Sequence, residues 1–147
     1  MKITSVDVFD IRFPTSKTLA GSDAVHKDPD YSCAYVVINT DAEDEELVGH
    51  GLTFSLGRGN EVICKAIEAF SDLLIGKDFE SDILKDMMNQ KDHAGFYYQL
   101  TQDGQLRWLG PEKGVIHMAA VSIHQATQYL ENAGSFSFIV FTTIYCC

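Results

Sequence analysis

Two glycines flank an arginine at Gly57-Arg58-Gly59, and Asn60-Glu61 follow directly before an apolar rhythm of helical spacing. Backbone N–H groups, the positive end of a helix dipole and a guanidinium would together offer a carboxylate three kinds of contact. A short glycine-rich turn joining strand to helix explains the same residues without a ligand. A second polar stretch, Gly21-Ser22-Asp23, lies in a loop that ends at Tyr31 and presents hydroxyl, carboxylate and amide groups suited to a polyhydroxylated ligand. An ordinary polar loop is its alternative. The histidines His26, His50, His93, His117 and His124 form no H-E-x-x-H motif, and His117 and His124 on one helical stretch have no third ligand nearby in sequence, so packing or surface roles are expected before metal. A loop starting at Asp41 puts Glu46 where a calcium loop needs Gly and Leu52 where it needs Glu; the acidic run Asp41 to Glu46 is therefore expected as a solvated turn. No serine has a G-x-S-x-G context, and Cys33 and Cys64 fall in strand and helix patterns where a buried thiol is the usual outcome.

The elements that must position these groups are strands first and helices second. Ile3, Val6, Val8, Ile11 and Phe13 follow a mostly two-residue rhythm that predicts a strand with one buried face, ended by Pro14. A long polar loop from Thr15 to Asp30 follows, then a buried strand over Cys33 to Ile38. Leu47 to Ser55 returns as a third strand in which Gly49 and Gly51 mark a close approach or a bulge. Beyond Gly59 the period changes. Asn60 is placed to cap a helix carrying Ile63, Ala66, Ile67, Phe70 and Leu74 and stopping at Gly76. A second helical region is expected from Ser81 to Gln102, interrupted over Asn89 to Gly95. After the turn Asp103-Gly104, Pro111 opens a helix with Ile116, Ala119, Ala120, Ile123 and Leu130 on one side, ended by Gly134. Three strands followed by helices predict an α+β fold: a three-stranded antiparallel meander and a helical bundle.

Composition limits what such a fold could serve. The chain has 147 residues, one domain in size, and is too short for a (β/α)₈ barrel, which takes roughly 200 or more. With 21 acidic residues against 11 Lys and Arg, the formal charge is −10, and no basic run offsets it, so neither nucleic acid nor an anionic membrane surface is an expected partner. No stretch approaches the length of a membrane-spanning helix, and no signal-peptide pattern opens the chain. Cys33, Cys64, Cys146 and Cys147 include no C-x-x-C pair, which points to a reducing, intracellular compartment. Residues 135–147 differ from everything before them: Phe136, Phe138, Ile139, Val140, Phe141, Ile144 and Tyr145 make an uncharged, β-prone tail that is expected to be an atypical end of the polypeptide, the alternatives being pairing with a sheet edge or binding a partner, self-association included.

Several runs carry a family resemblance: Arg12-Phe13-Pro14-Thr15-Ser16, Asp28-Pro29-Asp30-Tyr31-Ser32, Ala34-Tyr35-Val36-Val37-Ile38, Gly51 through Glu61, and Asp103 through His117 with its Arg107-Trp108-Leu109-Gly110-Pro111 core. In this order they closely resemble the enolase superfamily of the mandelate racemase and muconate lactonizing type, in its L-fuconate dehydratase branch with the mitochondrial animal members. The resemblance covers Met1 to about Val121, the N-terminal capping domain of that family. It implies that two loops close over a sugar-acid substrate held in a barrel, with Gly21, Ser22, Asp23 and Tyr31 as substrate contacts and the stretch from Thr53 to Arg58 as the second lid. In the family, a lysine base, three acidic Mg²⁺ ligands and a His-Asp pair on the barrel remove a proton beside the metal-bound carboxylate and expel water. None of those positions falls in this chain, which departs from the family at Ser122-Ile123-His124-Gln125. The expectation is a capping domain over residues 1–134 and a tail over 135–147, without the barrel. By the resemblance, Mg²⁺ is expected to belong to the parent enzyme and not to be bound by this chain, which is expected to be inactive alone and to reside in mitochondria or cytoplasm. A stand-alone binding or regulatory module is the other reading.

Overall fold

The computed structural model describes residues 1–43, 47–85, 95–109 and 113–134. Strands β1 (Ile3–Arg12), β2 (Ser32–Thr40) and β3 (Gly49–Ser55) pair antiparallel in the order β1-β2-β3, the predicted meander. Val8 faces Val36, and Val36 faces Gly51, so Val6, Val8, Ala34, Val36, Ile38, Gly49, Gly51 and Thr53 share the side toward the helices. The register slips between Ile3 and Ser5. That irregularity lets odd-numbered Ile3 enter the same core as even-numbered Val6 and Val8. The expected single apolar face of β1 is corrected at its other end: Ile11 pairs with Cys33 on the opposite side of the sheet, and Phe13 lies exposed beyond the strand.

Helix α1 (Asn60–Ser71) buries Ile63, Cys64, Ala66, Ile67 and Phe70, as its spacing predicts. Its capping differs from expectation. The residue ahead of the helix is Gly59, in a left-handed conformation, while Asn60 sits inside the first turn and sends its buried amide to the sheet. A π-helical turn (Phe79–Leu84) and helix α2 (Gly95–Thr101) fall in the second helical region, and a 3₁₀ turn (Leu106–Leu109) follows it. Helix α3 (Val115–Gly134) closes the domain. The expected interruption over Asn89 to Gly95 (apart from Gly95 itself, which opens α2), the helix start at Pro111 and the apolar tail lie outside the described residues.

Close approach explains both glycines of β3. A methyl group on Gly51 would overlap the Ser122 carbonyl of α3, and one on Gly49 would overlap that of Ala126. The helix answers with small residues of its own, Ala119, Ala120, Ser122 and Ala126, all fully buried. Its side chains Ile116, Ile123 and Leu130 join those of α1 and the inner sheet face in one core. No helix among the described residues is long and apolar enough to cross a membrane.

Candidate functional site

A cleft of about 720 Å³ opens between the loop joining β1 to β2 and the turn joining β3 to α1. Its lining includes Arg12, His26, Lys27, Asp28, Asp30, Arg58 and Glu61 beside Phe13, Pro14, Val25 and Leu56. The long loop is ordered by its own polar groups. Thr15 donates its hydroxyl to the Pro29 carbonyl at 2.8 Å and accepts the Tyr31 N–H at 3.0 Å. Asp30 accepts the Ser16 hydroxyl at 2.6 Å and the Ser16 N–H at 3.1 Å. The Asp23 carboxylate accepts the N–H groups of Val25 at 2.7 Å and His26 at 2.6 Å. At the loop's far end the Tyr31 hydroxyl donates to the Gly21 carbonyl at 2.7 Å, and a side chain on Gly21 would collide with that phenol ring.

The second wall is pressed against the first. The Asp30 N–H donates to the Leu56 carbonyl at 3.3 Å, and Gly57, at a φ of 105°, approaches Asp30 so closely that a methyl group would come within 2.9 Å of its Cβ. Only glycine adopts that φ without strain while leaving this space. Beneath the junction, Arg12 donates to Asp10 at 2.8 Å through both Nε and Nη2, and to Glu61 at 2.5 Å. Asn60 donates to Asp10 at 2.6 Å and accepts from Ser55 at 2.7 Å, so β1, β3 and α1 meet in one polar network.

These contacts set the charges. The Arg12 hydrogen bond holds the Asp10 carboxyl below the usual carboxylate range, with Asn60 helping and burial opposing. Asp10 and Glu61 in turn push the Arg12 guanidinium further up. Asp30 is held low by the Ser16 hydroxyl and N–H, and Asp23 by the backbone N–H groups of His26 and Val25. Glu61 is lowered by its own backbone N–H and then by Arg12. Burial raises the thiols of Cys33 and Cys64, which therefore stay protonated and unreactive near neutrality. Among the described residues, Arg58 and Lys27 pair with no carboxylate, leaving two cations at the cleft free to meet an anion.

Of the residues singled out from the sequence, Arg58 lines the cleft, while Gly21, Ser22, Asp23 and Tyr31 belong to the β1–β2 loop and are not among the residues that line it. Thr53 stands apart. It pairs with Ala34 and is buried on the helix-facing side of the sheet, away from the cleft lining. Sequence reasoning missed Lys27, Asp30 and Arg12 as cleft residues. Arg12 carried a readable signal: Asp10 and Arg12, two apart at a strand end, must point to one side of the sheet. No group of three His, Cys, Asp or Glu among the described residues is arranged to hold a metal.

No family model matches the chain. Its fold superposes on human mitochondrial enolase superfamily member 1 with a TM-score of 0.78 at 48% identity, covering 90% of this chain and 28% of that one. Over the residues they share, the chain is similar to that enolase superfamily member and has the α+β arrangement of its N-terminal region. In sequence it is similar to mitochondrial enolase superfamily member 1 of Xenopus laevis, 54% identical over 125 residues, and of Bos taurus, 50% identical over 125 residues. L-galactonate dehydratase of Hypocrea jecorina is 43% identical over 124 residues. These alignments take in 84 to 85% of the chain, which spans only about a quarter of the length of the curated relatives it matches.

Proposed function

We propose that residues 1–134 form the substrate-capping part of a sugar-acid dehydratase, and that the cleft between the two loops closes over a polyhydroxy carboxylate held on a catalytic domain outside this chain. The observation that carries this reading is that the cleft holds two cations, Arg58 and Lys27, that pair with no carboxylate among the described residues, beside a Ser16 hydroxyl fixed on Asp30. A guanidinium or ammonium would meet the carboxylate, and polar groups of the lining such as the Ser16 hydroxyl and the Asp28 carboxylate would select the hydroxyl pattern, while Ser22 and Asp23 hold the shape of the loop behind them. Closing such a lid excludes water and strengthens those contacts. The proton removal itself, and the Mg²⁺ that supports it in the parent enzyme, belong to that other domain. The likeness to L-galactonate dehydratase supports a sugar acid as the ligand class, with L-fuconate a related candidate, and the mitochondrial relatives support a mitochondrial site of action over a cytoplasmic one.

A chimaera tests this. The matching 124 residues of the Hypocrea jecorina L-galactonate dehydratase are replaced by those of this chain, and L-galactonate dehydration is followed with Mg²⁺ present. The chimaera should turn over, and Arg58→Ala within it should raise KM about tenfold, the effect of losing one charge-assisted hydrogen bond. The isolated chain should show no turnover. A folded chimaera in which Arg58→Ala and Lys27→Ala both leave KM unchanged would refute the cleft as a substrate lid, and turnover by the isolated chain would refute the division of labour.

A further inference from the structure

Asp30 lies where the sheet comes apart. The central strand β2 keeps bonding to both neighbours just ahead of its first residue: the Phe13 N–H donates to the Tyr31 carbonyl at 2.9 Å on the β1 side, and the Asp30 N–H donates to the Leu56 carbonyl at 3.3 Å on the β3 side. The Asp30 side chain adds a third hold. Its Oδ1 accepts the Ser16 hydroxyl at 2.6 Å and the Ser16 N–H at 3.1 Å, while its backbone carbonyl accepts the Ser32 hydroxyl at 2.8 Å. One residue thus fastens both walls of the cleft.

Each wall carries a group suited to a sugar acid, and Asp30 holds both in place. A hydroxyl has one proton and two lone pairs, so Ser16, having donated to Asp30, lines the cleft as an acceptor for a ligand hydroxyl. On the other wall Gly57 is buried so closely against Asp30 that a methyl group on it would stand 2.9 Å from the Asp30 Cβ and from its carbonyl oxygen. The Gly57 carbonyl in turn accepts the Asn60 N–H at 3.1 Å, at the start of α1. Arg58, exposed in the cleft lining, is therefore fixed between Asp30 on one side and the helix on the other. Gly59 differs from Gly57 in this respect: its φ of 91° is also positive, but the space beside it is open.

We infer, resting on the lid role proposed for the cleft, that Asp30 is its positioning residue. It sets the spacing between Ser16, which reads a hydroxyl, and Arg58, which meets the carboxylate, and it makes the two loops respond as one unit. Spacing matters because a misplacement of about 1 Å between a binding group and its partner can cost on the order of a hundredfold in rate. A residue that acts through Arg58 and one that touches the ligand independently of Arg58 differ in a double-mutant cycle, since the first loses its effect once Arg58 is gone and the second does not.

The test uses the L-galactonate dehydratase chimaera, with KM and kcat for L-galactonate measured separately. Asp30→Ala should raise KM about tenfold and hold kcat within about threefold, whereas Asp30→Asn, equal in size and still an acceptor for Ser16, should keep both within about threefold of the parent. Added to Arg58→Ala, Asp30→Ala should raise KM by less than about threefold more; a further tenfold rise would mean independent contacts. That rise, an Asp30→Asn as impaired as Asp30→Ala, or an Asp30→Ala that leaves KM unchanged would each overturn the proposal. Coupling of the loops is read without substrate, by residue-resolved hydrogen exchange in the 147-residue chain. Gly57→Ala, which displaces Asp30, should speed the Ser16 and Tyr31 amides at least about fivefold relative to Val36 in the middle of β2, whereas Gly59→Ala, with open space around its methyl group, should not. Were Arg58→Ala alone to leave KM unchanged, the lid role would fall while this exchange result still decided whether Asp30 joins the loops; equal exchange in the two glycine variants would show that it does not.

Discussion

Arg12 and Arg58 border the same cleft with different duties. Arg12 is held by two carboxylates, so its charge serves to tie β1 to the start of α1, whereas Arg58 meets none among the described residues and is the side chain fitted to an incoming anion. Asn60 makes that division possible, because its buried amide joins Arg12 Nε on Asp10 Oδ1 and takes the Ser55 hydroxyl at the same time. From the sequence Asn60 reads as a helix cap, since Asn is a favoured capping residue before an apolar helical rhythm. The partner that overrides this role, Asp10, is fifty residues away, and a local pattern carries no trace of it. Asn60→Ala should therefore cost more than a lost cap alone: about 1–3 kcal/mol, the range for stranding buried polar partners, read as a lower urea midpoint with unchanged slope. A loss below about 0.5 kcal/mol would mean the network does not secure the junction.

At the scale of elements, the three strands, α1 and the buried side of α3 were legible, because alternation and three-to-four spacing are imposed by burial itself. The irregularity between Ile3 and Ser5 was not, and it decides which β1 residues face inward; nor was the cleft, which arises where Asp30 meets Leu56 and Gly57, two segments joined only through β2 and β3. Gly49 and Gly51 show what sequence can and cannot convey. A pair of glycines in a strand announces a close approach, yet only the packing identifies the approaching group as the carbonyl row of α3. Since that neighbour is backbone, Gly51→Ala cannot be relieved by a side-chain rotation and must move the helix or the strand. Its expected cost is about 1–3 kcal/mol by chemical denaturation. Gly104→Ala, with open space around the new methyl group, should be neutral or slightly stabilising. Equal effects at the two positions would remove close helix packing as the reason for glycine in β3.

For the whole molecule, a formal charge of −10 sets two opposing responses to acid. Protonating carboxylates relieves mutual repulsion, which favours the compact chain. The same protons attack carboxylates that the fold uses: Asp10 held low by Arg12, Asp23 by the His26 N–H, Asp30 by the Ser16 hydroxyl, Asp78 by the Ser81 N–H and Asp103 by the Leu106 N–H. Because these groups titrate lower when folded than in the unfolded chain, the unfolded state takes up protons first as pH falls, and the stability they contribute is present above the ordinary carboxylate range near 4 and is lost below it. Salt separates the two effects, since repulsion between exposed charges is screened over about 10 Å at 0.1 M, while short hydrogen bonds to backbone N–H groups are not. Raising NaCl from about 0.01 to about 0.5 M at pH 7 should therefore lift Tm, and the exposed ion pairs, which contribute little, should not reverse that gain. With repulsion screened, only the second response to acid remains: at high salt Tm should hold nearly level from pH 7 to about 5 and then fall as pH drops through about 4. Asp30→Asn should lower Tm at pH 7 and make that acid fall shallower. A Tm that climbs steadily from pH 7 to 3.5 at high salt would mean that these carboxylates do not help hold the loops and turns they cap.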